Sequence, residues 1–259
     1  MTTITLFNHK GGTGKSTTTV NLACSLARQG YRVAMIDLDA QANLSDSYFD
    51  YSPTTDIVSC FRRGIATGQT ITSEDFTQVG DNLWLLPNLK NITEGLFYEL
   101  FGGQDDQKQR HLFFTYLLSQ LEAFDYLLID TPPNLENRSI SAIIASDFLL
   151  IPTLLEKTSL DNVSNVLTVV EHLTNQYQLD PIPTGLVYTR VDRISKWLNA
   201  SWSRYAQELN LEVLGTIYKS SDYAYSPHCP AYYGSGKVKL DHDNLSKNLI
   251  KLCQKTNNL

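Results

Sequence analysis

Short apolar runs alternate with longer amphipathic segments along most of the 259-residue chain. Seven of these runs are strand candidates, and most of them are continuously apolar rather than alternating, which is typical of strands buried on both faces. They predict strands at residues 4–8, 32–37, 83–87, 126–130, 148–152, 184–188 and 213–217. Apolar positions at helical spacing predict helices at residues 15–29, 107–122, 138–145, 159–177, 196–209 and 243–255.

This order of elements predicts the α/β class: a doubly wound, mostly parallel sheet with helices on both faces. A chain of this length can bury one substantial core, so we expect a single domain over residues 1–259. The segment from Asp50 to Gly80 follows neither period well, and we assign no element to it.

A glycine-rich stretch lies between the first predicted strand and the first predicted helix. Residues 8 to 17 read Asn-His-Lys-Gly-Gly-Thr-Gly-Lys-Ser-Thr. Glycines allow backbone conformations closed to other residues, so successive N–H groups can converge on phosphate oxygens. The following helix adds the positive end of its dipole at the same point. The stretch therefore predicts a phosphate-binding loop made of Gly11, Gly12, Thr13, Gly14, Lys15, Ser16 and Thr17.

Two residues at the end of this loop have separate tasks in the nucleotide-binding pattern G-x-x-x-x-G-K-[ST]. Lys15 stands where the side chain reaches the β- and γ-phosphates, and Ser16 stands where the hydroxyl binds Mg²⁺. The expected ligand is therefore ATP or GTP. The chain departs from the pattern at its first glycine, where it has His9, and it adds Lys10 at the mouth of the loop.

Acidic residues follow two of the predicted strands. Ligands of such sheets bind beyond the carboxyl ends of the strands, so these acids are candidate site residues. Asp37 and Asp39 close the second strand, and Asp130 closes another in Tyr-Leu-Leu-Ile-Asp-Thr-Pro-Pro. We expect Asp130 to hold Mg²⁺ through water, as a Walker B aspartate does. A turn or helix cap remains the alternative for Asp39 and Asp130.

Cysteines and apolar runs argue against several protein classes. The chain has four cysteines, none of them in a C-x-x-C pair: Cys24, Cys60, Cys229 and Cys253. This spacing argues against a zinc or iron–sulfur site and for reduced thiols in a cytoplasm. We find no secretory signal, and the most apolar stretch, residues 140–155, is interrupted by Asp147 and Pro152. We therefore expect a soluble, cytoplasmic protein.

The loop Lys-Gly-Gly-Thr-Gly-Lys-Ser-Thr resembles the deviant Walker A loop of the ParA/MinD family of dimerising ATPases. In that family the early lysine reaches the nucleotide of the partner subunit, which implies a trans role for Lys10. The segment Asp-Leu-Asp-Ala-Gln-Ala-Asn-Leu resembles the D-x-D-P-Q-G-N segment of ParA partition ATPases, with Ala40 and Ala42 replacing Pro and Gly. Its second aspartate helps to position the attacking water, so the resemblance assigns hydrolysis to Asp39. The implied catalytic set is Lys10, Lys15 and Asp39.

The resemblance runs from Thr3 to about Leu252, by pattern rather than by motif beyond Pro152. ParA proteins hydrolyse ATP slowly with Mg²⁺, form ATP-bound sandwich homodimers on nonspecific DNA, and are released by a ParB-like partner. The resemblance therefore implies a partner-stimulated ATP hydrolase that is associated with the nucleoid and partitions a plasmid or chromosome. We expect no N-terminal helix-turn-helix extension, because a strand-like run already begins at Thr3.

Charge is distributed unevenly along the chain, although its net value is −6. Residues 1–185 carry 11 Lys and Arg against 21 Asp and Glu, whereas residues 186–259 carry 10 against 6. The candidate DNA contacts are therefore basic residues of the C-terminal part: Arg190, Arg193, Lys196, Lys219, Lys237, Lys239, Lys247, Lys251 and Lys255. The last three recur at every fourth position, on one face of a helix. A merely solvated helix face is the alternative for each.

Three other functions stay open. Some family members position a protein cargo such as carboxysomes. MinD-like members bind membranes through a basic amphipathic C-terminal helix, and Leu245, Leu249 and Leu252 share one face of the last predicted helix. We prefer the interpretation that this helix packs on the domain. A membrane partner is therefore not expected. A small-molecule phosphotransferase or ligase of similar fold is the alternative outside this class.

Overall fold

The computed structural model describes residues 1–48, 53, 55–88, 107–192, 205–225 and 236–256. Its strands are β1 (Thr2–Leu6), β2 (Val33–Asp37), β3 (Thr77–Gly80), β4 (Leu83–Leu86), β5 (Tyr126–Asp130), β6 (Phe148–Leu154), β7 (Thr184–Val191) and β8 (Glu212–Tyr218). They form one eight-stranded sheet in the order β3-β4-β2-β5-β1-β6-β7-β8. Neighbouring strands run parallel except β3, which pairs antiparallel with β4 at the edge.

Helices cover both faces of this sheet. They are α1 (Lys15–Arg28), α2 (Asn43–Asp46), α3 (Ile57–Thr67), α4 (Gln107–Leu118), α5 (Asn137–Ile144), α6 (Lys157–Tyr177), α7 (Asp222–Tyr225) and α8 (Gly236–Thr256). One apolar cluster joins α1 and α8 to one face of the sheet. Two further clusters join α3 and α4, and α5 and α6, to the other face. The predicted doubly wound, mostly parallel sheet is therefore confirmed.

The structure contains each of the seven predicted strands, with shifts of a few residues at their ends. It also adds elements within the segment from Asp50 to Gly80, to which we assigned none. Helix α3 begins where the Asp56 carboxylate accepts hydrogen bonds from the N–H groups of Val58 and Ser59, at 2.8 and 3.1 Å. Strand β3 has four residues and is only partly buried, so no apolar run marks it. Most of the predicted helix at 196–209 lies outside the described residues.

The last helix, α8, packs on the domain. Leu245 and Leu249 are fully buried between α8, β8 and α1, and Gly215 of β8 lies so close that a Cβ there would be 3.2 Å from the Cβ of Leu245. The apolar face that a membrane-binding helix would use is therefore already covered. In the described part of the chain, no helix is long and apolar enough to span a bilayer.

The three cysteines in the described part of the chain are buried in the apolar clusters. Cys60 and Cys253 are free, buried thiols, and burial raises their pKa values to about 12 and about 11. Both are therefore protonated and unreactive at neutral pH. Cys24 is also buried, and its sulfur lies 3.5 Å from the hydroxyl of Tyr48.

Candidate nucleotide-binding site

The glycine-rich loop leads from β1 into α1 through two left-handed glycines. Gly12 has φ of 75° and Gly14 has φ of 83°, conformations that L side chains rarely adopt. Helix α1 then begins without a side-chain cap from the described residues and without an acid in its first turn. Helix starts are usually capped by Ser, Thr, Asp or Asn. The first N–H groups of α1 are therefore open to an anion, as the sequence predicts.

Buried polar residues from distant strands hold this loop in place. The Asn8 amide donates to the carbonyl of Pro152 at 2.8 Å, and its oxygen accepts from the N–H of Lys10 at 3.0 Å. The hydroxyl of Thr189 lies 2.7 Å from the carbonyl of Thr13. Sequence reasoning missed Asn8 and Thr189, although both lie at or next to the carboxyl end of a strand, which is the position that identified the aspartates.

Lys15 lies inside the loop. Its side chain is buried, and its ammonium is 3.4 Å from the carbonyl oxygen of Asn8. Burial lowers the pKa of Lys15, while the carboxylates of Asp130 and Asp39 oppose that shift. The charge of Lys15 therefore stands near both acids of the site, within a loop shaped for phosphate.

Asp130 lies fully buried at the end of β5. One carboxylate oxygen, Oδ1, is 3.4 Å from the Thr19 hydroxyl, whereas Oδ2 has no hydrogen-bond partner among the described residues. Burial, followed by the charge of Asp37, raises the pKa of Asp130 to about 8, and the nearby Ser16 hydroxyl opposes the rise. Such a carboxylate gains from any cation placed beside it.

These residues fit a magnesium ion. The open oxygen of Asp130 and the hydroxyl of Ser16 are hard oxygen donors, the kind that Mg²⁺ prefers. The described residues include no group of three or more His, Cys, Asp or Glu that could hold a metal ion by itself. Protein-bound Mg²⁺ usually keeps water and phosphate oxygens in its shell, so one or two protein donors suffice.

Asp37 is a structural residue at the start of the loop of residues 38–42, between β2 and α2, which we call the switch loop. It is fully buried and accepts hydrogen bonds from the N–H and hydroxyl of Ser45 at 2.8 and 2.7 Å, and from the N–H of Asp39 at 3.0 Å. Burial raises its pKa to about 7, against the effect of these hydrogen bonds. Asp37 therefore fixes the loop that carries the second aspartate.

Asp39 lines the same cavity as Lys15. It does not cap α2, because the residue at the N-cap is Ala42, which has a left-handed φ of 53°. This conformation explains why glycine is usual at that position of the motif. The backbone carbonyl of Asp39 accepts a 2.7 Å hydrogen bond from Asn88, a fully buried residue after β4 that sequence reasoning missed.

Lys10 points away from its own loop. Its ammonium contacts the carboxylate of Glu156 and lies 3.1 Å from the hydroxyl of Ser159, at the start of α6. This contact lowers the pKa of Glu156. Among the described residues that line the cavity, Lys15 is present and Lys10 is not.

The loop opens into a cavity of about 1000 Å³. On the side of the switch loop the cavity is lined by Asp39, Gln41, Asn43 and Pro133. On the other side it is lined by Thr189, Arg190, Ile217, Tyr218, Lys219, Ser220, Ser221, Tyr223 and His242. A volume of this size is ample for a nucleoside triphosphate.

Comparison with known proteins decides the family. The AAA_31 family, described as an AAA domain, matches residues 1–180. The Soj sporulation initiation inhibitor protein of Bacillus subtilis is 29% identical over 193 residues, which cover 73% of this chain and 72% of that protein. The chain belongs to the ParA/MinD family of ATPases. Nucleotide binding by the P-loop and ATPase activity follow from that membership.

Solved structures share the fold of this ParA/MinD-family protein at low sequence identity. A plasmid partition protein from Borrelia burgdorferi bound to AMPPNP has a TM-score of 0.74 and 22% identity, with 96% of this chain and 98% of that chain covered. Cobyrinic acid a,c-diamide synthase from Mycobacterium smegmatis, with bound ADP and magnesium, has a TM-score of 0.76 and 20% identity, with 99% and 97% covered. The shared architecture therefore includes both partition proteins and a biosynthetic enzyme.

The structure separates the basic residues of this ParA/MinD-family chain into two groups. Arg190 and Lys219 line the nucleotide cavity, and Lys219 pairs with Asp192 at 2.7 Å. The exposed lysines of α8 are Lys237, Lys239, Lys247, Lys251 and Lys255. The candidates Arg193 and Lys196 lie outside the described residues. The lysines of α8 are therefore exposed to solvent and do not line the cavity.

Proposed function

We propose that this ATPase dimerises when it binds ATP and Mg²⁺, binds nonspecific DNA as a dimer, and partitions a plasmid or chromosome with a ParB-like partner. The position of Lys10 carries the proposal. Its ammonium stands at the mouth of the loop, about one-third exposed, and turns toward Glu156 instead of its own cavity. A lysine so placed is suited to reach the nucleotide of a second subunit.

The remaining residues of the site are suited to hydrolysis. Lys15 and the start of α1 hold the phosphates, and Ser16 with Asp130 would hold Mg²⁺, which neutralises charge that develops during phosphoryl transfer. Asp39 lies on the side of the cavity toward the switch loop, where its carboxylate can orient water. Phosphoryl transfer depends mainly on positioning and electrostatics, and these residues supply both.

The DNA step rests on α8. Its apolar face is buried, while Lys247, Lys251 and Lys255 are exposed at successive turns. Such a row can neutralise phosphates without reading bases. The burial of Leu245 and Leu249 speaks against a MinD-like membrane function for the same helix.

Two alternatives are tested together with this proposal. Positioning of a protein cargo uses the same ATP-dependent switch with a different partner. A small-molecule phosphotransferase or ligase is supported by the shared fold with cobyrinic acid a,c-diamide synthase. Such an enzyme does not need nucleotide-dependent binding of DNA, so the two classes differ in solution.

The test is the molecular mass in solution of wild type, Lys10→Ala and Asp39→Ala with ATP and Mg²⁺, each with and without nonspecific DNA. We expect Asp39→Ala to accumulate as a dimer that binds DNA and Lys10→Ala to remain monomeric. ADP serves as the matched control, because it fills the loop without a γ-phosphate. If all three proteins bind ATP but remain monomeric and free of DNA, the proposal fails and the phosphotransferase becomes the better hypothesis.

A further inference from the structure

Two side chains line the nucleotide cavity opposite the switch loop and have no part in the phosphate chemistry. They are His242 of α8 and Tyr223 of α7. His242 is fully buried, and the two rings meet edge to face with centroids 6.2 Å apart. Each has one polar atom without a hydrogen-bond partner in the described part of the chain: Nε2 of His242 and the hydroxyl of Tyr223.

Buried polar atoms in folded proteins are almost always hydrogen-bonded. A buried atom without a partner carries a free-energy cost that a ligand can remove. Because both atoms belong to residues that line one cavity, a ligand with matching hydrogen-bonding groups can satisfy both.

The structure fixes the chemical character of Nε2. The other ring nitrogen of His242, Nδ1, lies 3.0 Å from the backbone carbonyl oxygen of Val238. A carbonyl oxygen only accepts, so Nδ1 carries the hydrogen and Nε2 of the neutral ring is an acceptor. Burial lowers the pKa of His242 to about 4, so the ring is neutral at pH 7.

The hydroxyl of Tyr223 has the complementary character. Burial, followed by the charges of Asp241 and Asp222, raises its pKa, so the phenol keeps its hydrogen. The two side chains therefore offer a fixed acceptor and an available donor in neighbouring positions.

The position of these atoms matches the nucleoside end of a bound nucleotide. The phosphates lie at the loop, and the last phosphate is toward Asp39 and Asp130. A base attached to phosphates so placed would extend to the other side of the cavity, where His242 and Tyr223 lie. This step rests on the proposed function.

We propose that His242 selects 6-aminopurine nucleotides over 6-oxopurine nucleotides by accepting a hydrogen bond from the 6-amino group, while Tyr223 donates to the adjacent ring nitrogen. Adenine presents a donor at position 6 and an acceptor at N1, which complement these two atoms. Guanine and hypoxanthine present an oxygen at position 6, and two acceptors then face each other. The same histidine therefore favours ATP and rejects GTP.

The helix that carries His242 is anchored, so its acceptor cannot easily turn away from a wrong base. The carboxylate of Asp243 accepts hydrogen bonds from Ser25 and Arg28 of α1, each at 2.5 Å. The bond from Nδ1 to Val238 also opposes a flip of the ring. Such a fixed acceptor can discriminate between bases, because it cannot adapt to both.

The test compares the affinities of ATP, inosine triphosphate and purine riboside triphosphate. Purine lacks only the 6-amino group of adenine, whereas hypoxanthine has an oxygen at position 6 and a hydrogen on N1. Each is measured by calorimetry on wild type, His242→Gln and Ser246→Ala. The glutamine amide can rotate to present either a donor or an acceptor. Ser246 is a fully buried polar residue of the same helix that does not line the cavity, which makes it the matched control.

We expect wild type and Ser246→Ala to bind ATP about tenfold or more tightly than either analogue, the usual effect of an unmatched buried hydrogen bond. In His242→Gln the preference over inosine triphosphate should fall to less than about threefold. Equal binding of all three nucleotides by wild type, or a full preference retained in His242→Gln, overturns the assignment. If wild type binds none of them, the proposed function fails and this inference fails with it.

A measurement on wild type alone covers the case in which His242→Gln does not fold. The ¹⁵N resonance of Nε2 of His242 should shift when ATP binds, because the nitrogen gains a hydrogen bond, and should shift much less with purine riboside triphosphate. Equal shifts with the two nucleotides would also overturn the assignment.

Discussion

The ammonium of Lys10 and the carboxylate of Glu156 are in contact within one chain, across a sequence separation of 146 residues. The glycine-rich loop is thereby tied to the start of α6. If Lys10 acts on the nucleotide of a partner subunit, this internal contact must break first. The ion pair then opposes dimerisation, and its strength contributes to the threshold protein concentration at which ATP-bound dimers form.

The first prediction concerns that threshold. Glu156→Gln removes the charge that holds Lys10, so ATP-dependent dimers should form at a protein concentration lower by a few-fold. The change is small because exposed ion pairs are weak and are screened by salt. Analytical ultracentrifugation across a dilution series measures it. Asp161→Asn, a nearby change of charge on α6, is the control, and an equal effect in both variants would exclude a specific role for the pair.

The second prediction separates binding from hydrolysis at Asp39. Asp39→Asn keeps an oxygen for the 3.0 Å hydrogen bond from the N–H of Gln41 but removes the negative charge. Turnover should fall about 100-fold, the usual loss when one electrostatic contact to a transition state is removed. ATP affinity should change less than about threefold. Steady-state hydrolysis and equilibrium binding give the two numbers, and a loss of affinity as large as the loss of rate would contradict the assigned role.

The third prediction concerns Asn88, which supports the switch loop from β4. Asn88→Asp retains the size of the side chain but replaces the donor to the Asp39 carbonyl with an acceptor. The free energy of unfolding should drop by about 1–3 kcal/mol, because a buried hydrogen bond becomes a contact between two acceptors. Turnover should also fall, since Asp39 loses its support. Urea denaturation and a hydrolysis assay test both effects; unchanged turnover would mean that the loop does not need this support.

The fourth prediction gives a pH dependence. The Arg63 guanidinium donates to both oxygens of Asp75, at 2.7 and 2.6 Å. Burial alone would raise the pKa of Asp75, but hydrogen bonds from Arg63 and Thr72 outweigh it and lower the pKa. A carboxylate with a lowered pKa stabilises the fold above its unfolded value, about 3.9, and loses that contribution as the pH falls.

Asp75→Asn should therefore reduce the free energy of unfolding by about 1–2 kcal/mol at pH 7, a value discounted for the partial exposure of Arg63, and by much less near pH 3. Urea denaturation at several pH values measures the difference. The exposed Asp81→Asn is the control. A difference from wild type that stays constant with pH would show that the charge of Asp75 contributes little.

The fifth prediction tests the lysines of α8. Lys251→Gln with Lys255→Gln removes two exposed charges, so the slope of log K against log salt for nonspecific DNA should fall by up to about 2. Arg62→Gln with Lys108→Gln removes two exposed charges from helices on the opposite face of the sheet and is the matched control. Salt titrations of DNA binding in the ATP form measure the slopes, and equal slopes in the two double variants would place the DNA elsewhere.

Local sequence was enough to predict the phosphate loop. Its ligand groups lie within residues 8–17, and the strand before it and the helix after it follow from hydrophobic periodicity. The same holds for Asp39 and Asp130, because each directly follows a buried strand. In these cases the position of a residue relative to the end of a strand determines its place in the site.

The residues that hold the site together could not be predicted in this way. Asn88 is 49 positions from Asp39, Asn8 is 144 from Pro152, and Thr189 is 176 from Thr13. These residues meet because of the order of the strands in the sheet. Hydrophobic periodicity predicts where strands occur along the chain but not which strands are neighbours. Strand β3 was not predicted for a related reason: it forms by pairing with β4, and its own residues show no apolar run.

The start of α1 behind Gly14, without a side-chain cap from the described residues, has a consequence for the life of the protein in a cell. A ligand that binds the free N–H groups at the start of α1 stabilises the folded state by mass action. The free energy of unfolding rises by about 2.7 kcal/mol when the free ligand concentration is 100 times the dissociation constant. Proteases act on opened chains, so nucleotide supply would set how long each molecule survives. The abundance of the protein would then follow the energy state of the cell.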